Sequence, residues 1–210
     1  DEIKAATRTF VQAVADRGIT ITCANVFWTE RAIDYAQYAE RLGADVWTYS
    51  HTIDKYELIK NRFYAGLYTW AHEAGGNWIW AYYRNKGFNS MVWCHNADNV
   101  MYPMAGYETR RDGIDDYRYL FTLRQSSDRA AKAEKADLVE RADAVFARAR
   151  SMVTMDNYGR SFLAVLGVEG EASAYNRPRP EPEMPIGAYD ALRRDAAEAI
   201  QAIAEALGEE

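Results

Sequence analysis

The chain has 210 residues and a net charge of -6, with 25 Lys and Arg against 31 Asp and Glu. No basic stripe offsets this acidity, which argues against a nucleic-acid backbone as partner. The composition, 49% hydrophobic and 27% charged, is that of an ordinary globular protein, and no apolar run approaches the roughly 20 residues of a membrane span. Aromatic content is the outlier, with 6 Trp, 15 Tyr and 7 Phe, crowded mostly between Phe27 and Phe121. Cys23 and Cys94 fit no metal or redox spacing, so buried free thiols are the plainer reading. The chain opens on Asp1 rather than Met and runs straight into helical sequence, so it is expected to be a piece of a longer protein.

From Asp1 to about Pro103, helix and strand patterns alternate. Glu2 to Asp16 is amphipathic through Ile3, Phe10, Val11 and Val14, and Gly18 is its expected stop. The β-branched run from Ile19 to Val26 predicts a strand. Thr29 caps a predicted helix through about Leu42, with Gly43 as its stop, and Ala44 to Ser50 is the next strand. Tyr56, Ile59, Phe63, Leu67, Trp70 and Ala74 recur at helical spacing until Gly75-Gly76. Asn77 to Tyr83 predicts a third strand, a loop containing Trp93 follows, and Asn99 to Tyr102 predicts a short fourth.

From Gly106 onward the signal is helical. Tyr107 to about Gln125 and Asp128 to Arg150 read as two helices, residues 151–187 as irregular, and Ala188 to Leu207 as a third helix stopped by Gly208. A glycine inside a helix costs about 1 kcal/mol relative to Ala, so Gly113 predicts a close packing contact. The charges of Glu108, Arg111, Asp112, Asp115 and Asp116 fit either a solvated helix face with i,i+3 and i,i+4 pairs or a seam where the helix docks. Neither reading is catalytic.

Helices alternating with buried strands imply right-handed crossovers and a parallel sheet. Four such strands predict the C-terminal half of a (β/α)8 TIM barrel over residues 1–105, with C-terminal helices over 106–210 packing on it. A small open α/β sheet is the alternative. An isolated half barrel would expose two sheet edges, so the fragment alone is expected to be inactive and poorly stable.

Three segments carry a resemblance. They are Arg62…Trp70…Gly75-Gly76-Asn77-Trp78-Ile79-Trp80, then Asp98-Asn99-Val100-Met101-Tyr102-Pro103, then Glu108…Arg111-Asp112-Gly113-Ile114-Asp115-Asp116-Tyr117…Tyr119-Leu120. Their order resembles the C-terminal region of glycoside hydrolase family 123 and the related domain of unknown function 4091, over roughly residues 44–125. Asn99, Met101 and Asp115 depart from the Gly, Leu and Glu usual in that family, and the Gly expected soon after Pro103 is delayed to Gly106.

The resemblance implies a protein acting on glycans as a substrate-assisted retaining β-N-acetylhexosaminidase. In that chemistry an adjacent Asp-Glu pair works with the substrate's own acetamide. The Asp orients the acetamide and the Glu serves as general acid and then base, which requires two carboxylates in different environments. Asp1-Glu2 falls where the family places that pair, although Ile3 replaces the usual Pro. The other reading of the pair is a helix cap with an acid in the first turn. A non-catalytic carbohydrate-binding or scaffold protein of the same fold is the alternative function.

Chemistry in a barrel sits at the C-terminal strand ends. This selects Asn25, Phe27 and Trp28, then Tyr49 and His51, then Trp80 and Tyr82, with Trp93 in the loop beyond. Aromatic faces suit the C–H faces of a sugar ring, while Trp47 and Trp78 are expected to pack in the core. His51, His72 and His95 are too scattered for a metal box. No phosphate loop or nucleophile elbow is present, and no cofactor is expected.

Overall fold

The computed structural model describes residues 9, 12–13, 16–18, 21–24, 39, 41–50, 58–79, 92–95, 100–153 and 186–209, which are mostly helical. Strands β1 (Ile21–Ala24), β2 (Val46–Ser50) and β3 (Gly76–Ile79) form a parallel sheet in that order. Ile21 stands opposite Val46, and Trp47 opposite Gly76. Between β2 and β3 runs a composite helix: α1 (Leu58–Phe63), a π-helical turn (Tyr64–Tyr68) and α2 (Thr69–Ala71). Strands β4 (Val92–His95) and β5 (Val100–Pro103) pair with each other. Three long helices complete the order, α3 (Ala105–Lys132), α4 (Ala136–Ser151) and α5 (Ile186–Leu207).

The predicted half barrel is not formed. Its expected fourth parallel strand is β5, which lies antiparallel to β4 in a separate two-stranded sheet. The physical reason is the connection. Only residues 96–99 separate β4 from β5, and a parallel pairing needs a crossover of a dozen or more residues. The segment around Trp93, expected as a loop, is β4 itself. Among the described residues, the greater part of the buried core lies between helices.

Helix limits follow local chemistry. Gly18, Gly43 and Gly208, the expected stops, all adopt positive φ. The boundary predicted near residues 126–127 lies instead at 133–135, where Glu134 takes φ 57°. Ser126 and Ser127 lie at the predicted boundary, and serines favour caps over helix interiors. Both are buried within α3, and Arg129 Nη2 donates to Ser126 Oγ at 3.1 Å. Glu108 in the first turn and Arg129 and Lys132 in the last complement the dipole of α3.

On α3 the buried positions Gly106, Gly113, Asp116, Leu120, Leu123, Ser127 and Ala130 recur every three, four or seven residues. This stripe meets Phe63 and Leu67 of the composite helix, Val145 and Phe146 of α4, and Tyr189, Leu192, Ala196 and Ile203 of α5, in one continuous hydrophobic cluster. Val46 of β2 joins the same cluster.

Two glycines set the crossing of α3 over the composite helix. A Cβ at Gly113 would stand 2.3 Å from the Arg62 carbonyl oxygen, and one at Gly66 would stand 2.5 Å from the Gly113 carbonyl oxygen. Backbone therefore touches backbone. Gly66 sits within the π turn, where the Thr69 hydroxyl donates to the Tyr64 carbonyl at 2.6 Å. That bond occupies a carbonyl whose ordinary helical partner the π turn displaces.

The close approach carries a buried ion cluster. Arg62 Nε donates to Asp116 Oδ2 at 2.7 Å and its Nη2 to Asp116 Oδ1 at 3.1 Å. Arg193 of α5 reaches the same carboxylate from the other side, its Nε 2.9 Å from Oδ1, while its Nη2 donates to the Asp112 carbonyl at 2.8 Å. Asp190 accepts a further bond from Arg62 Nη2 at 3.0 Å, and the Arg62 guanidinium lies 4.8 Å from the centroid of the Tyr189 ring. Burial opposes the charge on Arg62, but Asp116 and Asp190 outweigh it and hold its pKa above the ordinary value. Burial, joined by the charge of Asp116, pushes the Tyr189 phenol up.

Gly113→Ala tests the crossing. The substitution gains about 1 kcal/mol of helix propensity, but the new methyl group meets backbone that cannot rotate away. Overpacking of this kind destabilises by about 1–3 kcal/mol and more where backbone must shift. A net loss of about 2 kcal/mol is expected, read as a fall in Tm of about 4–8 °C. An unchanged or raised Tm would show that the helices can separate freely at this point.

Candidate functional site

The sequence-selected residues Asp1, Glu2, Asn25, Phe27, Trp28, His51, Trp80 and Tyr82 lie outside the described residues. Tyr49 is in β2, in register with Trp78 of β3. Trp93 is in β4, in register with Tyr102 of β5. Tyr49 and Trp93 thus belong to two different sheets.

What the structure does assemble is a tryptophan pair on the parallel sheet. Asp45 Oδ2 accepts the Trp47 indole N–H at 2.7 Å, which fixes the ring just before the sheet pairing extends. The ring lies against the backbone of Gly75-Gly76. A Cβ at Gly76 would come within 2.7 Å of it, and one at Gly75 would overlap the Asp45 carboxylate. These two glycines, expected only to break a helix, make room for Trp47. The left-handed residue that turns the chain out of α2 is Glu73, with φ 54°.

Trp78 packs on Trp47 with ring centroids 5.7 Å apart and planes inclined by 52°. Its expected place in the core is not observed, since 53% of it is exposed. Gly76 and Trp78 lie two residues apart on β3 and so share a sheet face. Because the β3 neighbour of Trp47 is a glycine, little side-chain volume on that strand comes between the two indoles. An exposed indole on a braced partner offers a flat, apolar face with little conformational freedom to lose on binding.

Behind this pair, Arg110 Nη2 of α3 donates to the Asn77 carbonyl at 2.8 Å and ties the helix to β3. Burial pushes the Arg110 pKa down to about 10, and among the described residues no carboxylate pairs with it. Sequence reasoning missed this residue. The remaining charges of the Glu108–Leu120 segment are structural. Arg111 pairs with Glu108 at 2.8 Å and Arg118 with Asp115 at 3.2 Å, both at the surface, whereas Asp116 belongs to the buried cluster. The stripe spacing Gly113, Asp116, Leu120 was the available signal that Asp116 faces inward.

Among the described residues, no group of three His, Cys, Asp or Glu side chains is placed to hold a metal ion, and no helix is long and apolar enough to cross a membrane. Comparison with protein-family models, with curated proteins and with solved structures found no match.

His72 follows α2 and meets the Tyr68 ring edge-on, with centroids 4.5 Å apart. Burial pushes its pKa down to about 4, against about 6.5 for a free histidine. Between these values the unfolded chain binds a proton that the folded chain refuses, so stability falls as pH drops from about 6.5 toward 4. Urea denaturation at pH 7 and pH 5 should show that loss, and His72→Gln should shrink it. An equal pH dependence in both proteins would place the His72 titration elsewhere.

Proposed function

We propose that the protein recognises carbohydrate, with the Trp47–Trp78 pair as the stacking surface for a sugar ring. The observation that carries this reading is the half-exposed Trp78 indole braced against a Trp47 that is itself fixed by Asp45. A pyranose packs its axial C–H groups on such a face, and a rigid indole loses little freedom in receiving it. Tyr49, in register with Trp78, stands at the neighbouring position on β2. The resemblance to glycoside hydrolase family 123 supports the same substrate class and adds a reaction. In it, Glu2 would protonate the glycosidic oxygen and Asp1 would orient the acetamide of an N-acetylhexosamine.

Binding and turnover separate in one experiment. Trp78→Ala should weaken binding of N-acetylglucosamine or N-acetylgalactosamine oligosaccharides roughly three- to tenfold, the share of one aromatic contact. Its Tm should stay within about 2 °C, because an exposed substitution seldom changes stability by more than about 0.5 kcal/mol. Hydrolysis of chromogenic N-acetylhexosaminides that Glu2→Gln abolishes would establish the enzyme. Binding with no turnover in the full-length protein would assign the non-catalytic alternative, and binding unaffected by Trp78→Ala would remove the stacking surface.

A further inference from the structure

A second site lies at the helical end of the molecule, independent of the sheet face. Between α2 and α3, reached also by α4, runs an open groove of about 220 Å³. Trp70, Glu73, Tyr117, Phe121, Arg124 and Arg150 supply its walls. Tyr117, Phe121 and Arg124 follow at i, i+4 and i+7 on one face of α3. Trp70 of α2 and Glu73 of the turn after it precede the start of β3, so the groove sits at the opposite end of that strand from its C-terminus.

The two arginines are held by aromatic rings. Several other guanidiniums on the long helices are taken up by carboxylates, as in Arg129 with Glu209, Arg141 with Glu198 and Arg148 with Asp195. Arg124 instead lies 4.7 Å over the Phe146 ring, and Arg150 lies 5.4 Å over the Trp70 ring. Those rings themselves stack, with centroids 5.7 Å apart and planes within 25°. Among the described residues neither guanidinium has a carboxylate partner. A guanidinium that stacks by its face keeps its N–H edge for a planar acceptor.

The rest of the groove defines what accompanies that acceptor. Tyr117 and Phe121 stack nearly parallel, 12° apart with centroids 6.2 Å apart, and Phe121 is 49% exposed. Burial holds the Tyr117 phenol above its ordinary pKa, so it stays neutral. Two cations against the one carboxylate of Glu73 leave a single net positive charge, which favours a monoanion over a phosphate dianion. The volume lies below the usual range of drug-sized ligand sites and suits one ring.

We propose that this groove binds a single-ring carboxylate, its carboxylate on the edges of Arg124 and Arg150 and its ring against Phe121 and Tyr117. The ring is either saturated, as in a hexuronate unit of a glycan, or aromatic.

Titration of the protein with glucuronate, benzoate, glucose and inorganic phosphate, followed by amide chemical shifts, tests this. Either carboxylate should perturb residues around Phe121 and Arg150 with a saturable dissociation constant of ~1 mM. Glucose should bind at least tenfold more weakly than the preferred carboxylate, and phosphate more weakly as well. A response to glucuronate alone identifies the saturated ring, and to benzoate alone the aromatic one. The double variant Arg124→Gln, Arg150→Gln should lose at least about tenfold in affinity with unchanged Tm. No response to either carboxylate, glucose binding as tightly as the preferred carboxylate, tighter binding of phosphate, or full affinity in the double variant would each overturn the proposal. If the double variant fails to fold, Phe121→Ser provides the second arm, and undiminished affinity there would also overturn it.

Discussion

The carboxylate of Asp116 is the point on which the three-way helix packing turns. It is 4% exposed, and two arginines from different elements close on it, Arg62 from the composite helix and Arg193 from α5. A buried carboxylate stripped of its cations destabilises a fold by about 3–5 kcal/mol, so the helices cannot separate without large loss. The pairing also sets register. Arg62 engages Asp116 through two nitrogens, and Arg193 reaches both Asp116 and the Asp112 carbonyl one turn away. A slip of either helix by one residue would break several of these bonds at once.

The glycines make that arrangement reachable. Gly113 precedes Asp116 by one helical turn, and its missing side chain brings α3 against the backbone of Arg62. Arg62 thereby approaches Asp116 with its guanidinium inside the core. The π turn that carries Gly66 continues into α2, which presents Trp70 to Phe146 and closes the groove beneath Arg124 and Arg150. One crossing thus positions both the buried cluster and the exposed arginine pair.

Much of the local structure was legible in the residues. The stops at Gly18, Gly43 and Gly208, the helical stripe through Phe63, Leu67 and Trp70, the strand expected over Ala44 to Ser50 and found at Val46–Ser50, and the close contact at Gly113 all follow from short-range patterns. The architecture was less legible because strand direction depends on the connection. The half-barrel reading failed where β5 pairs antiparallel with β4. The buried cluster escaped for a different reason. Arg62 and Asp116 are 54 residues apart, and Arg62 and Asp190 are 128 apart, distances over which helical periodicity carries no information about partners. Trp78 was misplaced because a tryptophan in a strand pattern reads as core, and nothing local shows that it packs on Trp47, whose own β3 neighbour is a glycine. Of the candidate site, only Tyr49 and Trp93 fall on described strands, and they lie in different sheets.

The central claim is that Arg62 and Asp116 act as one unit locking the helices. A double-mutant cycle over Arg62→Ala and Asp116→Ala, read by urea denaturation, measures it most directly. The interlock predicts a coupling energy above about 2 kcal/mol, near the top of the range for contacting residues. Additive effects, with coupling below about 0.5 kcal/mol, would contradict it.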